Sequence, residues 1–254
     1  KRRDCSKPRG ARRSEDQRMT LQEIVDRSRR IVFFGGAGVS TESSIPDFRS
    51  VDGLYHQQYD YPPEQILSRS FFDENPAEFY RFYRSKMLCP HAKPNAAHYK
   101  LAELEQAGKC TAVVTQNIDG LHQAAGSRTV YELHGSVLRN HCMRCGRAYG
   151  VEAVAEAAGI PRCACGGIIK PDVVLYEEGL DQQTVEGAVY AIARADCLIV
   201  AGTSLSVYPA ARFIRYFQGE YFVLINRDPT PADKLADLVL HQKVGQVLSQ
   251  IQVR

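Results

Sequence analysis

Several short stretches of this chain are apolar with almost no polar alternation, and they constrain the fold more than any other feature. They are 31–34 (IVFF), 110–115 (CTAVVT), 129–133 (TVYEL), 197–201 (CLIVA), 221–225 (YFVLI) and 238–240 (LVL). A strand with one wet face alternates apolar and polar side chains, whereas one buried on both faces need not. Helical patterns lie between most of these runs, notably 95–107, ended by Gly108, and 181–194. Thr20-Leu-Gln-Glu23 has the spacing of a capping box, which predicts a first helix over about 20–29. Parallel strands need crossover connections, so the pattern predicts an α/β fold with a doubly wound, mostly parallel, Rossmann-like sheet covered on both faces.

Two stretches break this rhythm. Residues 50–93 are rich in Tyr, Phe, Pro and Arg and suit a helical module, while 137–170 holds a cysteine cluster. The expected plan is a nucleotide-binding domain over 19–49, 94–136 and 171–254, interrupted by a smaller domain made of the helical module and a metal-stapled ribbon.

Of 254 residues, 44% are hydrophobic and 24% charged, which is the composition of a globular protein with a sizeable core. No uninterrupted apolar run approaches the roughly 18 residues of a membrane span, and no apolar stretch follows the basic N-terminus as in a signal peptide. A cytoplasmic protein without a membrane partner is expected. The formal net charge is +3, but residues 1–20 carry eight basic and three acidic side chains, leaving 24 basic and 26 acidic for the rest. The body is thus slightly acidic, and no specific nucleic-acid partner is expected. Residues 1–18 are predicted to be a disordered basic tail, with Met19 as the natural start and a deletion of 1–18 without effect on activity or thermal stability.

Cys142-x2-Cys145, seventeen further residues, then Cys163-x-Cys165 supply four thiolates, with Gly146, Gly166 and Gly167 beside them for tight turns. Four sulfurs complete a tetrahedral zinc shell and leave no position for water or substrate, so one structural Zn²⁺ is expected. His141 and His134 rank below the cysteines as ligands. A zinc ribbon alone is compatible with a binding module. The cluster's Arg139, Arg144, Arg147, Arg162 and Lys170 face only Glu152 and Glu156, with Tyr149 as the sole aromatic residue, which is weak as a nucleic-acid signature.

Gly36-Ala37-Gly38 ends a strand, where backbone can approach a diphosphate, although Thr41 stands in place of a third glycine and such a turn can also serve packing alone. Asp47, Phe48 and Arg49 follow, and the planar fork of Arg49 suits a diphosphate. Gln116-Asn117-Ile118-Asp119, His134-Gly135 and Gly202-Thr203-Ser204 each follow a predicted strand, so all should open on the sheet edge where ligands bind.

Together with Gly36-Ala-Gly-Val-Ser40, Ile45-Pro-Asp-Phe-Arg49, Thr115-Gln-Asn-Ile-Asp119, Lys170-Pro-Asp-Val-Val174, Gly202-Thr-Ser-Leu205 and Ile225-Asn226, these residues resemble the sirtuins, NAD-dependent protein deacylases, over about 20–251. Thr41 after Ser40 is most similar to bacterial members. The resemblance implies an NAD site lined by Gly36, Ala37, Gly38, Thr41, Asp47, Phe48, Arg49, Gln116, Gly202, Thr203, Ser204, Asn226 and Val244. Ile118 and Asp119 would face the nicotinamide, and Asn117 and Ser40 the reactive ribose. His134 would be the base, taking a proton from a ribose hydroxyl so that this oxygen attacks the captured acyl group. Val174, Leu175 and Tyr176 would bind the acyl-lysine peptide by main-chain hydrogen bonds. Products would be lysine, nicotinamide and O-acetyl-ADP-ribose, made by a monomer acting on acetyl-lysine-bearing proteins.

Two departures from the family pattern stand out. Ser44 replaces a usual Gly, which would leave the loop less free to adopt positive φ, and Tyr176-Glu177 replaces Phe-Gly, which bears on the geometry of the substrate strand. Desuccinylating members carry Tyr-x-x-Arg in the acyl tunnel. Here Tyr80-Arg-Phe-Tyr83 has Tyr in the Arg position, so deacetylation with poor desuccinylation is expected, with Arg84 one residue away. Mono-ADP-ribosyl transfer at the same site and a non-catalytic zinc-ribbon module are the alternatives. A dehydrogenase would leave the His-Gly loop and closed ribbon unexplained.

Overall fold

The computed structural model describes residues 19–47, 61–205 and 210–254. The tail 1–18, the pair Phe48 and Arg49, and the first part of the expected helical module lie outside the described residues.

The chain runs α1 (Leu21–Arg27), β1 (Ile31–Gly35), α2 (Pro63–Ile66), α3 (Arg69–Glu74), α4 (Pro76–Lys86), α5 (Ala96–Gln106), β2 (Cys110–Thr115), α6 (Leu121–Ala124), β3 (Val130–Glu132), β4 (Gly135–Cys142), β5 (Ala148–Tyr149), α7 (Glu152–Ala155) and β6 (Ile169–Val173). It continues through α8 (Gln182–Arg194), β7 (Cys197–Ala201), α9 (Ala210–Phe213), β8 (Tyr221–Ile225), β9 (Leu238–Leu240) and α10 (Val244–Leu248). The Thr20 hydroxyl accepts from the Glu23 N–H and the Glu23 carboxylate reaches back, so the capping box forms and α1 starts where its sequence requires. Asp181 caps α8 through the Thr184 N–H.

Six strands form one parallel sheet in the order β3-β2-β1-β7-β8-β9. Side-chain alternation along β1 sends Ile31 and Phe33 to one face, where Leu21, Ile24 and Val25 of α1, Leu101 and Leu104 of α5, and Val247 and Leu248 of α10 cover them. Val32 and Phe34 go to the other face, against Ala188 and Ile192 of α8 and Phe213 of α9. Both faces are dry, which is why these strands read as continuous apolar runs. The order reverses at β1 and β7: later strands are added outward on either side of that pair. The crevice at their carboxyl ends is where such a sheet opens to a ligand.

The smaller unit contains an antiparallel sheet, β5-β4-β6. Its residues Val137, Ile169 and Val173 share a third core with Phe72, Phe79, Tyr80 and Tyr83 from the helices. Helices and ribbon are therefore packed as one body.

Behind the Asp119 loop, His98 and His122 are fully buried with ring centroids 4.7 Å apart. His98 Nδ1 accepts the Asn95 N–H, whereas His98 Nε2 and both His122 ring nitrogens lack partners among the described residues. Burial in this apolar setting pushes His98 down to about 4 and His122 to about 3. Because the folded values lie below the unfolded one, stability is intact above the ordinary histidine pKa and is lost as pH falls through it towards the folded values. Proton uptake by the unfolded chain alone costs about 2 kcal/mol per histidine at pH 5. His122→Leu is expected to narrow the gap between thermal midpoints at pH 7 and pH 5; an unchanged gap would assign the acid sensitivity elsewhere.

Candidate functional site

A cavity of about 1340 Å³ opens at the carboxyl edge of the large sheet. Every strand of that sheet delivers a loop to it: Gly36–Ser40 after β1, Gln116–Asp119 after β2, His134 after β3, Gly202–Ser204 after β7, Asn226 after β8 and Val244 after β9. The far wall comes from the smaller unit, through Leu67, Met87, Leu88 and the Val174–Tyr176 segment. Thr41 and Asp47 also line it.

The glycines of the first loop serve packing before they serve any ligand. A Cβ on Gly36 would lie 2.8 Å from the Gly202 carbonyl oxygen, and one on Gly38 would lie 2.7 Å from the Gly202 Cα. Gly38 N–H donates to Gly202 O at 2.9 Å, so the loops after β1 and β7 are laced together. Only residues without side chains permit that approach.

Two hydrogen-bonded chains organise the cavity floor. In the first, Asn117 Nδ2 donates to Ser40 Oγ at 3.0 Å and Ser40 Oγ donates to Asp119 Oδ2 at 2.6 Å, while Leu121 N–H holds the other Asp119 oxygen. In the second, Gln116 Nε2 donates to Thr203 Oγ1 at 3.1 Å and Thr203 N–H to Asn226 Oδ1 at 2.9 Å. Asn226 Nδ2 is buried and has no partner among the described residues. An orphaned donor in a cavity wall calls for an acceptor from a ligand, and a polar, acceptor-rich dinucleotide supplies one.

His134 Nδ1 lies 2.9 Å from the Gln116 carbonyl oxygen. A carbonyl only accepts, so Nδ1 carries the proton and Nε2 keeps its lone pair. Burial holds the imidazole below the ordinary histidine value, opposed by the Gln116 hydrogen bond. The neutral imidazole is therefore the resting form at neutral pH.

The four predicted cysteines come together, all Sγ atoms lying within 4.8 Å of one another. Two Sγ pairs are 3.4 and 3.6 Å apart, close to the roughly 3.8 Å edge of a tetrahedron with zinc–sulfur bonds of about 2.3 Å. Arg144 N–H and the Tyr149 hydroxyl point at Cys142 and Cys163 sulfurs, donors that favour thiolates. The donor set thus fits zinc. His141 is turned to Asp172 and His134 to the cavity, so neither belongs to the cluster.

Two of the expected substrate residues lie apart from the cavity. Tyr80 and Tyr83, expected at the acyl tunnel, are wholly buried in the third core and absent from the cavity lining. Tyr80 donates to Ile169 O at 2.5 Å, and the Phe79 ring stacks on Tyr83. Arg84 is held by the Val154 and Gly159 carbonyls and lies over the Tyr80 ring. Val174, Leu175 and Tyr176 line the cavity, with their N–H groups donating to His134 O, Glu178 Oε2 and Leu67 O.

Ser44 does adopt the left-handed conformation that glycine would favour, at φ 62°, and Glu177 does so at φ 76°. Thr41 and Ser40 carbonyls anchor the first turn, and Ser70 holds the Glu177 carboxylate through its N–H and hydroxyl. A non-glycine residue there costs about 1–2 kcal/mol. Ser44→Gly is therefore expected to raise stability by up to about 1 kcal/mol after the added chain entropy is subtracted, read as a higher denaturation midpoint; a lower one would contradict the strain.

Gln242, Lys243, Arg227 and Asp228 also line the cavity, although no motif in the sequence marks them. Applying the carboxyl-edge rule to the last two strands as well as the first four would have found them.

The sequence profile of the Sir2 family matches residues 36–209. An NAD-dependent protein deacetylase of Clostridium perfringens is 55% identical over 241 residues, covering 93% of this chain and 99% of that protein. One of Clostridium acetobutylicum is 57% identical over 235 residues, covering 91% and 96%. A Sir2 structure solved with a deacetylated p53 peptide and 3'-O-acetyl-ADP-ribose superposes with a TM-score of 0.82 at 40% identity, covering 91% of this chain and 96% of that one. With this sheet order, this cavity edge and this cysteine cluster, the chain belongs to the Sir2 family.

Proposed function

We propose that this protein is an NAD-dependent protein-lysine deacetylase that works at the cavity on the sheet's carboxyl edge. The observation that carries this reading is His134, a neutral imidazole whose Nε2 has no hydrogen-bond partner among the described residues, on the wall of a cavity shared by all six parallel strands. NAD, when bound, supplies the ADP-ribosyl group that accepts the acyl group and the nicotinamide that leaves.

Asn226 offers its orphaned amide to the cofactor, and Gln116 and Thr203 fix the orientation of that amide. Ser40 and Asn117, locked by Asp119, present a preorganised polar floor beside the reacting sugar, so no reorganisation is needed as charge develops. His134 Nε2 accepts a proton while Gln116 O keeps the ring in the required tautomer. Cys142, Cys145, Cys163 and Cys165 hold a structural zinc outside these steps, since four thiolates close its shell. Among the described residues no helix is long and apolar enough to cross a membrane.

The test is an acetyl-lysine peptide incubated with protein and NAD, with nicotinamide release and peptide mass followed together. Stoichiometric nicotinamide and deacetylated peptide are expected. Nicotinamide without loss of the acetyl mass would mean ADP-ribosyl transfer or hydrolysis, and no NAD consumption would leave only a binding module. A succinyl-lysine peptide is expected to turn over more slowly, because the stretch Tyr80–Tyr83 lacks the Arg of desuccinylating members and Arg84 is held by the Val154 and Gly159 carbonyls, which leaves Lys86 as the α4 cation on the cavity wall; comparable rates would refute this.

A further inference from the structure

The cavity wall formed by Val174–Tyr176 is braced by a buried charge cluster that the chemistry above does not use. Lys170 of β6 is 6% exposed. Its Nζ donates to Pro171 O at 3.2 Å, Val173 O at 3.1 Å and Glu178 Oε2 at 3.1 Å. An ammonium has three donors and no acceptor, so these partners satisfy it completely. That is the condition under which a charge can stay buried.

Glu178 is held equally firmly. Its carboxylate also accepts the Leu175 N–H at 2.9 Å and Arg69 Nη1 at 3.3 Å. Burial pushes its carboxyl upward, but the Leu175 N–H, Lys170 and Arg69 outweigh that and hold it below the usual glutamate range.

The eight-residue step from Lys170 to Glu178 spans the whole lip of the cavity. Within it, Val174 N–H donates to the carbonyl of His134 at 3.0 Å, and Tyr176 N–H donates to Leu67 O at 3.0 Å. Gly135 meanwhile sits so close to β6 that a Cβ there would collide with the Asp172 carbonyl. The main chain at His134 fixes the inner end of the lip, and the Lys170–Glu178 pair closes its outer end.

We propose that Lys170 and Glu178 are positioning residues for the acyl-lysine peptide, their ion pair setting the conformation of the Val174–Tyr176 lip. This rests on the deacetylase reading. The loops assigned to NAD, at Gly36–Ser40, Gln116, Thr203 and Asn226, share no hydrogen bond with the cluster among the described residues. Loosening the lip should therefore weaken peptide binding selectively.

Steady-state kinetics with acetyl-lysine peptide and NAD test this on the zinc-loaded protein. Lys170→Met is expected to raise KM for the peptide by about tenfold, with KM for NAD and kcat changed by less than about threefold, and Lys170→Arg is expected to recover most of the loss. Glu178→Gln keeps the side-chain shape and carries the same expectation if Lys170→Met does not fold. An unchanged peptide KM, or kcat and both KM values shifting together, would overturn the positioning role. Failure of the deacetylase reading is visible separately, as unmodified protein that leaves the acetyl peptide intact, and the inference would fall with it.

Discussion

His134→Ala is expected to lower deacetylation by about 10²–10⁴-fold while zinc content and thermal midpoint stay near those of the unmodified protein. The range is that of a positioned general base. The ring lines a cavity wall whose fold does not depend on it, since its main-chain partners, Val174 N–H to His134 O among them, remain after truncation. Unmodified protein should show kcat/KM constant at neutral pH and falling as pH drops through a value below the ordinary histidine pKa, because burial favours the neutral imidazole and only that form accepts a proton. Steady-state rates across that range, with zinc measured on the same samples, check both parts. An alanine variant of near-normal activity would remove His134 from the chemistry.

Removal of zinc should have an effect as large, by a different route. Cys142 and Cys163 lie in the third core beside Phe79, Tyr80 and Tyr83, so the metal holds together the body that forms one wall of the cavity. Binding free energies of structural zinc reach about 10–16 kcal/mol in small zinc modules, more than most domains have in reserve. Cys145→Ser, or a strong chelator, is expected to abolish zinc binding, melt the β5-β4-β6 sheet and take activity with it, whereas Cys89→Ala should leave zinc content unchanged. Bound metal by elemental analysis and near-ultraviolet dichroism are the measurements. Full activity without metal would show that the cavity wall stands unaided.

Residues 31–34, 110–115, 197–201, 221–225 and 238–240 form strands at or within one residue of the predicted bounds, because the central strands β1 and β7 are buried on both faces, their neighbours are largely so, and glycine or polar turns cut them off. The cysteine cluster was equally legible, since metal-ligand spacing is local. The orientation of Tyr80 and Tyr83 was not. A helix shows several faces, and Tyr80, Tyr83 and Phe79 are alike in sequence; only packing against Ile169 and Val173 decided that they fill a core. The same holds for Ser44 and Glu177, whose left-handed backbone is imposed by hydrogen bonds to Ser40, Thr41 and Ser70 and not by their own preference.

The sequence by itself determined the α/β architecture, the zinc ligands and the set of loops that meet at one sheet edge, because period, spacing and strand ends are properties of neighbours along the chain. Tertiary structure decided the rest. It gave His134 its tautomer through the Gln116 carbonyl, left the Asn226 amide donor without a partner among the described residues, buried three histidine ring nitrogens equally unpartnered behind Asp119, and set Lys170 and Glu178 behind the lip. Each of these depends on which groups distant in sequence lose water together, and the cost of burying a polar group unpaired fixes where its partner must be.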